Sequence, residues 1–281
     1  MKRILLTALL ALAGTAQAQT LASPESLEFH PRSGRLLIAN TNSSQILARS
    51  AAGTLSVFTA VSSPYGIELL RGTLFVLSSG KVMGYDIDSA QQVMNLSIPG
   101  ASFLNGITSN GVDTLYITDF SAKKLLKVNV ADLANPVQTP LQTLTLTPNG
   151  VVFDAAANRL LIGTWSAARV LSYDIAANTA PTTLIQPSGY SNIDGIALDC
   201  EGRIHITAWS CPGGGGCLRR FDPPFTLAST PVSLGPALTA PADIDFGARS
   251  GDLAIPETSA NRITLVPAGC AASLFADDFE R

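Results

Sequence analysis

The chain is poor in charge. Asp, Glu, Lys and Arg make up 14% of it, the formal net charge is −3, and no basic cluster is longer than a pair such as Lys123-Lys124 or Arg219-Arg220. Phosphate neutralisation needs a basic stripe, so a nucleic-acid partner is excluded. Histidine is scarce: His30 and His205 are the only two. After the first eighteen residues no segment reaches about 18 uninterrupted apolar residues, the length of a membrane helix. Helical periodicity is missing as well. No window keeps an apolar stripe at i, i+3, i+4 and i+7 for three turns without Gly or Pro, and Val130 to Leu133 gives one helical turn at most. There is no Gly-x-Ser-x-Gly elbow, phosphate loop or dinucleotide fingerprint, which disfavours serine-hydrolase and nucleotide chemistry.

What is present begins with a leader. Lys2 and Arg3 precede the apolar stretch Ile4 to Ala13, and Ala16-Gln17-Ala18 is a small-x-small cleavage site. Residues 1–18 therefore read as a secretory signal cleaved after Ala18, with export to the periplasm or beyond the cell. Apolar residues are 46% of the chain, ample for a core. Four cysteines remain: Cys200, Cys211, Cys217 and Cys270. An even count in an exported chain reads as disulfides. Cys211 and Cys217 bracket Pro-Gly-Gly-Gly-Gly, a segment with much backbone freedom to lose. A disulfide is expected there. A metal clip is the rival, weakened by the lack of nearby histidine. Cys200 with Cys270 is the pairing left over.

The organising stretch is Pro148-Asn149-Gly150-Val151-Val152-Phe153, a tight corner leading into a short apolar strand. Five other places look like it: Pro24-Glu25-Ser26-Leu27, Pro64-Tyr65-Gly66-Ile67, Leu104-Asn105-Gly106-Ile107, Ile193-Asp194-Gly195-Ile196 and Pro241-Ala242-Asp243-Ile244. The corners Glu25, Tyr65, Asn105, Asn149, Asp194 and Ala242 are 40, 40, 44, 45 and 48 residues apart. That period, with short strands between turn residues, predicts an all-β fold, a six-bladed β-propeller of four-stranded antiparallel blades over residues 19–270. The last blade has three strands as written. A fourth is expected from Thr20-Leu21-Ala22 or from the tail, residues 271–281, through Ser273-Leu274-Phe275. The rival readings of that tail are a frayed terminus and a sorting segment, since Phe275-Ala276-Asp277-Asp278-Phe279-Glu280 resembles an acidic-aromatic ending of exported proteins.

Alternation of strand direction puts all six corners at one end of the channel. Glu25, Asn105, Asn149 and Asp194 are oxygen donors, and Asp243 stands one residue past its own corner. Levelling the second strands sets Phe120, Trp165 and Trp209 in register beside the blades that carry Asn105, Asn149 and Asp194. These aromatics either pack between blades or form an apolar wall over a polar floor, the make-up of a small-molecule pocket. The corners likewise have two readings. Pro pre-sets the turn, Gly permits it, and Asn and Asp favour it for local bonding alone. Two carboxylates and two amide carbonyls in one ring also suit a divalent cation, Ca2+ first, with Mg2+, Mn2+ and Zn2+ as alternatives. Asn40, Asp119 and Glu257, on the same side, read either as groups that support the ring from behind or as a solvated rim. His30 falls in a turn at the other end, and His205 within a strand.

The same residues resemble the SMP-30/gluconolactonase family over nearly the whole mature chain. The resemblance implies one divalent metal held by Glu25, Asn105, Asn149 and Asp194, with Asp194 also the base. It implies hydrolysis of lactones. Phe103 departs from the family pattern, because sugar lactonases often carry an arginine substrate contact there. The opening Glu25-Ser26-Leu27 likewise replaces a Glu-Gly-Pro. The expectation is an exported, metal-dependent hydrolase of lactones or related esters. Tyr65, Phe103, Phe120, Trp165 and Trp209 would line the site for a partly apolar small molecule. The alternative is a non-catalytic propeller that binds a ligand or protein at the same mouth.

Overall fold

The computed structural model describes residues 19–270; the predicted signal and tail lie outside the described residues. Among the described residues, twenty-three strands form six antiparallel sheets, arranged as the blades of a propeller. Innermost strands are Pro24–Phe29, Ile67–Leu70, Leu104–Ser109, Pro148–Asp154, Ser191–Leu198 and Asp245–Gly247. Five sheets have four strands; among the described residues the sixth has three. Thr20–Ala22 forms no strand. It is tied down instead: the Ala22 N–H donates to Asn40 Oδ1 at 2.7 Å and the Ser23 N–H to Asn261 Oδ1 at 2.7 Å, linking first and last blades. The described residues contain no α-helix; a 3-10 turn lies at Thr41–Ser43, and Val130 to Leu133 is irregular.

The second strands of the first two blades are covered on both faces, which is why their sequences run largely apolar without alternation. Leu36–Asn40 and Thr73–Ser78 are buried at every position. Six apolar clusters fill the six gaps between blades. The cluster that closes the ring joins Leu27, Ile38 and Leu47 of the first blade to Ala254 and Ile263 of the last. Burying such side chains stabilises by roughly 1.5–3 kcal/mol each. Both disulfides form, Cys211–Cys217 and Cys200–Cys270, with Cα separations of 6.2 and 6.3 Å. They suit an oxidising, non-cytoplasmic compartment. No helix among the described residues is long and apolar enough to cross a membrane.

The glycines after the corners serve a different purpose from the one their turn-like sequence suggests. Gly66, Gly106, Gly150 and Gly195 are absent from the positive-φ positions. Each is needed because the next blade's backbone occupies the place of a Cβ. A Cβ on Gly150 would lie 2.5 Å from Asp194 O, and those on Gly106 and Gly66 would collide with Asn149 O and Asn105 O. The inner strands therefore touch backbone to backbone around the axis. Threonines latch them: Thr118 Oγ1 donates to Asn149 O at 2.6 Å and Thr207 Oγ1 to Ala242 O at 2.7 Å.

Candidate functional site

The corner residues sit at irregularities of the innermost strands. Register shifts occur between Pro24 and Ser26, between Pro148 and Val151, and between Ile193 and Ile196. A bulge re-aims the side chain it carries. The third blade shifts likewise between Leu104 and Ile107, so the bulges carry Glu25, Asn105, Asn149 and Asp194. In four of the six blades the segment arriving at the corner is tied by the last residue of the second strand in the same blade. Asn40 holds Ala22, Ser78 donates to Ser62 O, Asp119 accepts from the Ser102, Phe103 and Ala122 N–H groups, and Glu257 accepts from the Thr239 N–H. Asn40, Asp119 and Glu257 are fully buried, so the solvated-rim reading of them is corrected. They are buried because each satisfies backbone donors that the arriving segment cannot pair with a strand.

At the centre, Asn149 Nδ2 donates to Asp194 Oδ1 at 3.0 Å, and Trp209 Nε1 donates to Asp194 Oδ2 at 2.8 Å. Asn149 and Asp194 are 2% and 3% exposed. Asn149 Oδ1 is a buried acceptor with no donor. Asn105 is buried on the neighbouring blade. Glu25 completes the predicted set and couples electrostatically to Asp194. Burial first, then the charges of Glu25 and Asp243, hold the Asp194 carboxyl well above the usual carboxylate range. Burial and Asp243 push Glu25 up to about 7. Burial pushes Asp243 up to about 7, against the opposing hydrogen bonds from Ser26 Oγ and the Ile244 N–H. Three carboxylates thus share a desolvated mouth and disfavour each other's ionisation.

This donor chemistry fits a hard divalent cation. All candidate donors are oxygens, one amide oxygen lacks a donor, and the carboxylates repel without a counter-charge. The fit depends on the amides: among the described residues no group of three or more His, Cys, Asp and Glu is placed to hold a metal ion.

Over this floor the aromatic residues form a continuous arc. Tyr65 meets Phe103 with ring centroids 4.6 Å apart, Phe103 meets Phe120 at 5.6 Å, Phe120 meets Trp165 at 5.8 Å, and Trp165 meets Trp209 at 5.3 Å. All four contacts are edge-to-face, the geometry aromatic quadrupoles prefer. The predicted levelling has a backbone basis. The Phe120 N–H bonds Phe103 O at 2.7 Å and the Trp165 N–H bonds Thr147 O at 2.8 Å, each two residues before its corner. Thr41 and Thr258 make the same bonds, to Ser23 O at 3.2 Å and Ala240 O at 3.0 Å, without a ring to offer. The arc therefore spans the second to fifth blades.

Sequence reasoning missed a second acidic layer. Glu28, Glu68 and Asp245 stand three residues after the corners of three adjacent blades. With Asp243 they line a channel cavity of about 120 Å3. Burial pushes Glu68 up to about 8 and Asp245 to about 6, and holds Glu28 well above its ordinary value. The signal was legible, since carrying the corner alignment three residues further brings all three together. The histidines lie elsewhere. His30 Nδ1 accepts from the Ser33 N–H in the first blade's turn, and His205 is fully buried with Nε2 2.7 Å from Asp199 Oδ2.

No protein-family model matches the sequence, and no curated protein matches it. Solved structures do resemble the fold. A Bacteroides thetaiotaomicron protein of unknown function superposes with a TM-score of 0.71 at 12% identity, covering 90% of this chain and 71% of that one. A gluconolactonase from Xanthomonas campestris gives 0.68 at 12% identity, covering 89% and 87%. A virginiamycin B lyase from Staphylococcus aureus gives 0.62 at 13% identity, covering 92% and 89%. At these identities the likeness establishes the propeller fold.

Proposed function

We propose that this protein is an exported, metal-dependent hydrolase of lactones or related carboxylic esters, acting at the corner end of the channel. The observation that carries the reading is Asn149 Oδ1, a buried acceptor without a donor, beside the buried carboxylate of Asp194 and in a mouth shared with the half-buried carboxylates of Glu25 and Asp243. Glu25, Asn105, Asn149 and Asp194 would hold the cation. When bound, a divalent cation polarises a carbonyl oxygen and acidifies water.

The chain's own residues do the rest. Asp194 removes a proton from the attacking water while that water's oxygen bonds to the acyl carbon. The carbon–oxygen ester bond then breaks, and the same proton passes from Asp194 to the departing alkoxide, leaving the ring-opened hydroxy acid. The arc from Tyr65 to Trp209 holds the apolar body of the substrate and keeps bulk water from the reacting face. Phe103 supports the choice of an apolar substrate over a sugar acid, since its ring contacts both Tyr65 and Phe120.

A lyase is the second reading. Its support is the likeness to virginiamycin B lyase, of which a histidine-to-alanine variant is described as catalytically inactive. In this chain both histidines lie away from the corner ring, so imidazole-based elimination has no base there. Assay of purified protein on aryl- and alkyl-substituted lactones, with Ca2+ and with chelator, decides. Cation-dependent ring opening supports the hydrolase. Binding without turnover indicates a non-catalytic propeller.

A further inference from the structure

Trp209 has two relationships that a wall residue does not require. It is the most exposed member of the arc, at 37%, yet its indole Nε1 is bonded to the buried carboxylate of Asp194 at 2.8 Å. Trp165 packs against it edge to face, at a centroid distance of 5.3 Å. The backbone that presents it is pinned from both directions. Asn192, across the strand pair between Ile193↔Ala208 and Ser191↔Ser210, accepts the Ser166 N–H at 3.0 Å. Two residues beyond Trp209, the Cys211–Cys217 disulfide closes the hairpin, and both cysteines are buried with Ala208 against Tyr190.

The consequence falls on Asp194. One of its oxygens accepts from Asn149, the other from Trp209. Two donors at opposite ends of a carboxylate fix its plane as one donor cannot. The same arrangement decides how Asn149 presents itself. Because its Nδ2 is spent on Asp194, its Oδ1 is turned away and left unpaired. Loss of the indole N–H would free the carboxylate to swing about its remaining bond, and the amide oxygen would lose its fixed direction.

We propose that Trp209 is the positioning residue of the site: its indole N–H fixes the plane of the Asp194 carboxylate, and the Cys211–Cys217 clip holds the indole there. The proposal rests on the reading of Asp194 as ligand and base, and deepens it. Hydrogen bonds from outer residues to metal ligands of this type usually change cation affinity by roughly 10–100-fold when removed.

The test has two arms. In the first, the mature protein carries 15N-labelled indoles, and its two tryptophan signals are assigned with Trp165→Phe. Without any metal, the Trp209 indole proton is expected to exchange slowly despite the ring's exposure. It should move when Asp194 is changed to Ala. An indole proton that exchanges at solvent rate, or ignores Asp194→Ala, overturns the proposal. In the second, Ca2+ affinity is measured by titration calorimetry. Trp209→Phe keeps a ring in the arc but removes the donor, and is expected to weaken Ca2+ binding roughly 10–100-fold. Wild-type affinity in Trp209→Phe overturns the proposal. A wild-type protein that binds no cation yet protects the Trp209 proton through Asp194 supports the positioning bond and refutes the hydrolase reading alone.

Discussion

Asn149 Nδ2 and Asp194 Oδ1 lie 3.0 Å apart, on corners of adjacent blades that are 45 residues apart in sequence. That bond leaves Asn149 Oδ1 buried and unpaired. Leaving a buried acceptor unmade costs about 1–3 kcal/mol, so a ligand that satisfies it should stabilise the fold. Ca2+ at 100 times its Kd should add about 2.7 kcal/mol of stability. The melting temperature should rise with Ca2+ in the wild type, and the rise should vanish in Asn149→Ala. Scanning calorimetry with and without chelator measures both.

The second acidic layer sets a pH dependence. Glu68 is pushed up to about 8 and Asp245 to about 6, both chiefly by burial. An acid whose folded pKa is raised favours the folded state while protonated. Its unfolded form ionises near pH 4, so folding stability falls as pH rises from about 4 and levels off above about 8. Glu68→Gln should flatten the upper part of that fall and leave the protein more stable at pH 9 by at least about 1.4 kcal/mol. Urea unfolding across the range measures it; a wild-type stability that rises between pH 5 and 8 contradicts it.

Gly150 should tolerate no side chain. Its Cβ would stand 2.5 Å from Asp194 O and 3.1 Å from Gly195 Cα, backbone atoms that cannot rotate aside. Gly150→Ala should destabilise by about 1–3 kcal/mol and spread the two blades that hold Asn149 and Asp194. Cation affinity and unfolding midpoint should fall together, by calorimetry and denaturant titration.

Phe103 should set substrate preference. Its ring makes two edge-to-face contacts in the arc, each worth about 0.5–1.5 kcal/mol. Phe103→Arg should raise KM for an aryl lactone roughly tenfold and lower it for a polyhydroxylated one, with cation affinity kept. Steady-state kinetics on the two substrates measures the exchange.

Much of this was legible because a propeller repeats. Six corners at a regular period gave the blades and the level of the aromatics, since Phe120 and Trp165 obey the same backbone bond as Thr41 and Thr258. Other features were hidden for physical reasons. A glycine written Pro-x-Gly looks like a turn former. That Gly150 makes room for the next blade's carbonyl depends on a neighbour 44 residues away. Asp119 in a loop sequence looks solvated, yet three backbone N–H groups draw it inside. The indole of Trp209 reads as apolar surface. Only the folded hairpin turns its N–H onto Asp194.

The most direct measurement is the stoichiometry of Ca2+ binding to metal-stripped protein, wild type against Asp194→Ala. The account predicts one equivalent bound by the wild type and none by the variant. No binding at millimolar Ca2+, Mn2+ or Zn2+, or equal binding by the variant, contradicts it.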